Sequence, residues 1–261
     1  MNGTRTFTFL GTGTSVGVPM IGCECEVCTS TNPRNHRYRP SVLIQAPAGN
    51  ILIDTTPELR LQLIRESIKV VHAVVYTHYH ADHLYGLDDV RVLTWAIGGP
   101  LPLFCTAETE EVIRKAFFYA FDPINDDVPP QFVPKLEFER ITTTPFEILG
   151  ERCTPIPLEH GRFKVFGYRI GDVAYCTDVN EIPEASWPLL ASLDVLVIDA
   201  LRPARPHRSH FCLEQALEAI ERLRPKQAYL THMNHEMDYD ELMGRLPAHV
   251  EPAYDGLSFQ F

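Results

Sequence analysis

Four side chains able to hold a metal fall within six residues: His78, His80, Asp82 and His83, inside the stretch VVYTHYHADHLYGL from Val74 to Leu87. The run from Ala73 to Thr77 ahead of them is apolar and β-branched, which predicts a buried strand. Leu84, Leu87 and Val90 follow at helical spacing, so a helix is expected from Asp82 to Leu93. The four groups would then sit on the turn between a strand end and a helix start. In extended backbone His78 and His80 point the same way and can reach one ion. Asp82 and His83, where the helix begins, turn away and can reach a second. Imidazole with carboxylate suits zinc, manganese or iron. Polar groups this dense are costly to bury without a shared partner.

A second cluster, Cys23-Glu24-Cys25-Glu26-Val27-Cys28, puts three thiols within six residues. A closed zinc site needs a fourth ligand. Thr231-His232-Met233-Asn234-His235 offers two histidines after a predicted strand, Gln227 to Thr231. One can serve the centre built on His78 and the other the thiols. We assign His232 to the first and His235 to the second, as the fourth ligand of a structural zinc. Seven cysteines is an odd number, and clustering favours a reduced, metal-holding set over a disulfide framework. A cytoplasmic location is the expectation. The segment MNGTRTFTFLG lacks the apolar core of a signal peptide, and no apolar run reaches membrane-spanning length.

Several elements must position these groups. Thr6 to Leu10 is a short β pattern, followed by Gly11-Thr12-Gly13-Thr14-Ser15, whose glycines read first as a tight turn and second as room for a substrate to approach closely. Asn32 to Pro40 reads as a polar loop with Arg34, Arg37 and Arg39 solvated on it. Ser41 to Ala46 and Asn50 to Asp54 form a hairpin, and a helix spans Pro57 to Glu66. A helix is expected from Ala107 to Ala120. The proline-rich, acidic stretch Asp122 to Pro134 is a long loop, a lid or a dimer contact. Strands follow at Leu136 to Ile141, Phe146 to Leu149 and Cys153 to Pro157, the last leading to His160. A hairpin of Val165 to Ile170 with Val173 to Cys176 delivers Asp178. Asp194 to Ala200 is a strand, Phe211 to Leu223 a helix, and Val250 to Phe261 a closing hairpin. His36, His72 and His249 fall outside every pattern and read as structural.

The motif H-x-H-x-D-H after an apolar strand, continued by DHLYGLDDVR, resembles the signature of the metallo-β-lactamase superfamily and its phosphodiesterase branches. That resemblance implies an α/β fold, an αββα sandwich of two mixed sheets flanked by helices, as one domain over 1–261. No linker or low-complexity segment divides the chain. The resemblance implies further ligands: His160 after its strand, and Asp178, at the end of Y-C-T-D, joining two ions. It also gives Asp54 a supporting role beside the ligands, and places His210, directly before a helix, as a catalytic histidine with His207 as the alternative. One ion would then take His78, His80 and His160, and the other Asp82, His83 and His232. Asp82 and His210 are the candidate catalytic residues.

The GTGTS turn leading to C-x-C-x-x-C, the H-x-x-H pair His232 and His235, and His210 before its helix resemble the PhnP-type phosphoribosyl cyclic phosphodiesterases. This likeness implies a hydrolase of small cyclic ribose phosphodiesters, two catalytic divalent metals (manganese or zinc, or iron), one structural zinc on Cys23, Cys25, Cys28 and His235, and a homodimer. Two ions can hold a hydroxide between them and clamp phosphoryl oxygens during in-line attack. The formal charge of −11 argues against a nonspecific nucleic-acid partner, though bound metal can supply local positive charge for a small anion. Three rivals share parts of the pattern. A tRNase Z-like nuclease would want a basic arm, and no basic run is present. A glyoxalase-type thioesterase leaves the cysteine cluster and His210 without a role. A PqqB-like binding protein has no need of seven active-site ligands.

Overall fold

The computed structural model describes residues 3–122 and 132–261. Its first sheet holds β1 (Thr6–Gly11), β2 (Ser41–Ala46), β3 (Gly49–Ile53), β4 (Ala73–Val75), β5 (Leu101–Cys105), β6 (Leu136–Arg140) and, from the far end of the chain, β14 (Ser258–Gln260). The order is β14-β1-β2-β3-β4-β5-β6. The second sheet holds β7 (Phe146–Ile148), β8 (Glu151–His160), β9 (Phe163–Ile170), β10 (Val173–Cys176), β11 (Val195–Asp199), β12 (Gln227–Thr231) and β13 (Val250–Pro252), ordered β13-β12-β11-β10-β9-β8-β7. Helices α1 (Leu59–Arg65), α2 (Ala81–Leu84), α3 (Arg91–Ile97) and α4 (Ala107–Ala116) belong to the first half. Helices α5 (Leu213–Leu223) and α6 (Tyr239–Arg245) belong to the second.

Strand alternation sorts the core into three layers. Phe7, Phe9, Ile51, Ile53 and Val75 point inward and meet Tyr168, Ile170, Tyr175 and Val197 of the facing sheet. Their neighbours Leu52 and Val74 point outward onto Leu59, Leu87 and Ile113 of the first helical layer. Leu196, Ile198 and Leu230 do the same toward Ala216, Ile220 and Leu242. The expected αββα sandwich is what these layers form.

Topology explains why one rim can hold a site. β3 and β4 are parallel, and so are β10, β11 and β12, so their C-terminal ends emerge together. β8 is antiparallel to β9, and β9 to β10, which returns the end of β8 to the same side. The rim is tied across the sandwich by the Tyr168 hydroxyl, which donates to Tyr76 O at 2.6 Å, and by Phe166 N–H, which donates to Thr77 O at 3.1 Å.

Four expectations are corrected. The helix from Asp82 to Leu93 breaks into α2, a 3₁₀ turn at Leu87–Val90, and α3. Gly86 packs so tightly on the Thr55–Thr56 backbone that a Cβ would lie 1.9 Å from Thr56 O, and this docking interrupts the helix. The helix from Ala107 stops at Ala116 and passes into a 3₁₀ turn at Phe118–Phe121. The closing hairpin does not exist. β13 pairs with β12 and β14 with β1, in different sheets. Asp255, between them, accepts from Thr12 N, the Thr12 hydroxyl, Tyr38 N and Arg65, which pins the crossing. Finally, Arg37 is not solvated but 1% exposed, donating to Asn234 O at 3.1 Å and Met237 O at 2.6 Å. Residues 123–131 of the expected lid or dimer loop lie outside the described residues. Among the described residues no helix is long and apolar enough to cross a membrane.

Candidate metal centre

The loop after β4 carries His78, His80, Asp82 and His83, and the other half of the sandwich brings three more groups to them. β8 ends on His160, β10 leads to Asp178, and β12 leads to His232. Ligand-type atoms of His78, His80, His160 and Asp178 all lie within 4.8 Å of one another. A second such group is Asp82, His83, Asp178 and His232. Asp178 belongs to both. Its Oδ2 is 3.8 Å from His78 Nε2 and 3.6 Å from His160 Nε2, while its Oδ1 is 3.2 Å from His83 Nε2 and 3.4 Å from His232 Nε2. One carboxylate thus turns an oxygen to each cluster.

Neighbouring groups aim these side chains. Asp54, just past β3, accepts from Thr77 N and the Thr77 hydroxyl, both at 2.8 Å, and its Oδ2 lies 2.7 Å from His83 Nδ1. That contact turns His83 Nε2 toward Asp178. His160 Nδ1 is likewise held 2.6 Å from Ser209 O. Three non-glycine residues here sit at positive φ: Asp54 at 65°, Asp178 at 55° and His232 at 59°. Each lies just past the end of a strand and is buried. Such left-handed backbone costs on the order of 1–3 kcal/mol per residue and clusters at functional sites.

His210 joins the rim from the loop before α5. Its ring stacks on His232 at 4.5 Å between centroids and meets His160 edge-on at 4.7 Å. Nδ1 lies 2.7 Å from Oδ2 of Asp199, the last residue of β11. Sequence reasoning missed Asp199. The signal was there: like Asp54 and Asp178, it is an acid at the end of an apolar strand. His207 is exposed and has no carboxylate partner of this kind among the described residues; its Nδ1 faces Ser209 N at 3.4 Å. His72 and His36 are structural, His72 Nδ1 accepting from Asn50 N and His36 Nε2 lying 2.9 Å from Ser30 O.

Beside the centre lies a cleft of about 550 Å³. His80 and His160 form one wall, and Arg162, Phe163, Arg208 and Ser209 line the rest. The GTGTS turn takes no part in that lining. A Cβ at Gly13 would lie 2.8 Å from Arg37 O and 3.0 Å from Tyr38 O, so glycine there admits the neighbouring chain rather than a substrate.

Away from the rim, Cys23, Cys25, Cys28 and His235 converge, with ligand atoms within 4.8 Å of one another. Both Cys23 Sγ and Cys25 Sγ are 3.3 Å from His235 Nδ1. Tetrahedral zinc with ordinary Zn–S and Zn–N bonds sets ligand atoms roughly 3.5 Å apart. Backbone N–H groups of Met20 and Cys28 donate to Cys28 Sγ and Cys25 Sγ at 3.3 and 3.4 Å. The Cys28 N–H and His235 pull the Cys25 thiol down to about 6, favouring thiolate.

Residues 49–233 match the family model described as a beta-lactamase superfamily domain. The crystal structure of a new diphosphatase from the PhnP family superposes with a TM-score of 0.93 at 42% identity, covering 100% of this chain and 98% of that one. The chain belongs to the PhnP family of the metallo-β-lactamase superfamily. Zn²⁺-bound PqqB from Methylobacterium extorquens shares the superfamily fold at a TM-score of 0.76 and 17% identity, covering 98% of this chain and 100% of that one. An octanoyltransferase of Porphyromonas gingivalis is 35% identical over 251 residues, 95% of this chain but 50% of that protein. The chain therefore spans half the length of that relative, and the name of the longer protein stays with it.

The metallo-β-lactamase fold implies divalent metal ions, and these residues fit them. Nε2 of His78, His83 and His232 is buried without a hydrogen-bond partner among the described residues. Burial drives His78 well below the ordinary imidazole value and His160 to about 4, so both present a neutral lone pair. Burial resists charge on His83 and His232, but Asp178 and Asp82 outweigh it, raising His83 well above its usual value and His232 to about 9. Those carboxylates favour positive charge at both imidazoles, the place a divalent cation would take.

Proposed function

We propose that the protein hydrolyses small phosphodiesters, cyclic ribose phosphodiesters foremost, at a dinuclear metal centre, with a separate structural zinc. In this assignment His78, His80 and His160 serve one ion, Asp82, His83 and His232 the other, and Asp178 both. Cys23, Cys25, Cys28 and His235 hold the zinc. Divalent ions, when bound, supply Lewis acidity toward phosphoryl oxygens and lower the pKa of a water.

The chain's own residues supply the rest. Asp54 and Asp199 fix the rings of His83 and His210, so that the reacting groups are aimed before substrate arrives. Asp199 accepts a hydrogen bond from Nδ1–H of His210, so a proton given to the leaving oxygen comes from Nε2. The cleft, at about 550 Å³, has room for a sugar phosphate.

The observation that carries this reading is His210 itself, packed on the ligand imidazoles of both groups and held by Asp199. A thioester hydrolase built on the same ligands leaves that pair unused. Similarity to a PhnP-family diphosphatase supports the same choice. The test combines metal analysis with turnover of bis(p-nitrophenyl) phosphate before and after chelation. The proposal predicts about three metals per chain, and turnover lost on chelation and restored by manganese or zinc. A single bound metal with no diester turnover would overturn it.

A further inference from the structure

We propose that Asp199 is a positioning residue for two imidazoles at once, His210 through Oδ2 and the candidate ligand His232 through Oδ1, so that one carboxylate aims the proton donor and a metal-binding ring together. This rests on the dinuclear reading above.

A ring that gives Nε2 to an ion keeps its proton on Nδ1, and a buried N–H needs an acceptor. The other buried candidate ligands have one. His78 Nδ1 lies 2.9 Å from the Thr77 hydroxyl, His83 Nδ1 2.7 Å from Asp54, and His160 Nδ1 2.6 Å from Ser209 O. His232 is fully buried, and its Nδ1 has no hydrogen-bond partner among the described residues. Asp199 is equally buried, and its Oδ1 has no partner there either. These two orphaned atoms, a donor and an acceptor, lie 4.0 Å apart. That is about 1 Å longer than a direct N–H···O bond, a gap that a small rotation of either side chain closes. Leaving both unpaired in a buried site is costly, so each is the natural mate of the other.

The two rings are arranged for sharing. His210 stacks on His232 with centroids 4.5 Å apart and planes 18° from parallel. Two nearly parallel imidazoles therefore bring their Nδ1 atoms to the two oxygens of one carboxylate, at 2.7 and 4.0 Å. The carboxylate is anchored independently of both rings. Asp199 ends β11, and its Oδ2 also accepts the Val179 N–H at 3.0 Å. Its register partner Thr231 ends the adjacent parallel strand β12, and His232 follows directly. Strand pairing thus sets the spacing between Asp199 and His232. With both rings on one anchor, the separation between proton donor and metal ligand is built into the fold.

The experiment titrates zinc at the centre against a competing chelator in wild type, His210→Ala, Asp199→Ala and the double variant. Asp199→Ala should weaken zinc binding there about 10- to 100-fold, the loss common when a group supporting a metal ligand is removed. The factor should be the same whether or not His210 is present. His210→Ala alone should leave the affinity unchanged. Asp199→Asn, which keeps one acceptor oxygen, should lose less than Asp199→Ala. Zinc at the cysteines should stay bound throughout, which separates a local effect from unfolding. If Asp199→Ala does not fold, wild type carries the test. With histidine nitrogens labelled for NMR, the zinc-loaded chain should show the His232 Nδ1–H shifted downfield as a hydrogen-bonded imidazole. An Asp199→Ala effect that vanishes in the His210→Ala background would overturn the shared role, and so would an unshifted His232 Nδ1–H. In both cases the centre still fills in wild type, and the dinuclear reading stands. If wild type binds a single zinc, at the cysteines, the dinuclear reading fails and takes this inference with it.

Discussion

Asp199 holds His210. Its Oδ2 lies 2.7 Å from Nδ1 of the imidazole and also accepts the Val179 backbone N–H at 3.0 Å, so the carboxylate is itself fixed. In the proposed reaction His210 supplies the proton needed by the leaving oxygen. His210→Ala should therefore lower diester turnover by roughly a hundredfold or more, with metal content per chain unchanged. Asp199→Asn should fall in the same direction, because Asn can offer an N–H to Nδ1 and favour the other tautomer. Steady-state kinetics with metal analysis on both variants checks this. Full turnover in His210→Ala would remove it from the mechanism.

Asp54 does not line the cleft, yet its carboxylate accepts twice from Thr77 and turns His83. Loss of such a supporting carboxylate commonly weakens metal binding about 10- to 100-fold. Asp54→Asn should show that loss in a competition titration with a zinc chelator, at the centre and not at the cysteine site. Wild-type affinity in the variant would make Asp54 a packing residue only.

The cysteine site joins the Cys23–Cys28 loop to His235, three residues past His232. Cys25→Ser should lose one zinc per chain and melt at lower temperature, and its diester turnover should decline only as the fold does. Retained zinc and an unchanged melting temperature would contradict the assignment.

Asp255 is buried, and that burial raises its carboxyl from 3.8 to about 6 despite Arg65 and the donors from Tyr38 and Thr12. A folded-state value above the unfolded one means the folded chain binds the proton more tightly. The stabilising contribution is complete below about 3.8 and is lost as pH rises through about 6. The wild-type melting temperature, measured against Asp255→Asn, should fall from pH 4.5 to pH 7. A difference independent of pH would show that Asp255 titrates as an ordinary carboxylate.

The sandwich and much of the centre were legible because they follow from short-range pattern. Apolar strands ending in His or Asp are visible without coordinates, and His78, His80, Asp82 and His83 share one turn. What was not legible depends on contacts between distant segments. The break at Gly86 comes from docking on Thr56, thirty residues earlier. The divergence of β13 and β14 comes from Asp255 binding Thr12 and Tyr38. β5 carries Pro102 in its interior, which masks the strand pattern. Arg37 looks like a loop cation until Asn234 O and Met237 O are seen to enclose it. Asp199 stood in plain view on DVLVIDA, but only its distance to His210 gives it a role.

The most direct test is a side-by-side assay of manganese-loaded protein on bis(p-nitrophenyl) phosphate, p-nitrophenyl phosphate and a glutathione thioester. The account predicts turnover of the diester, with little on the monoester and none on the thioester. Thioester turnover without diester turnover would contradict it and assign the centre to the glyoxalase type of chemistry.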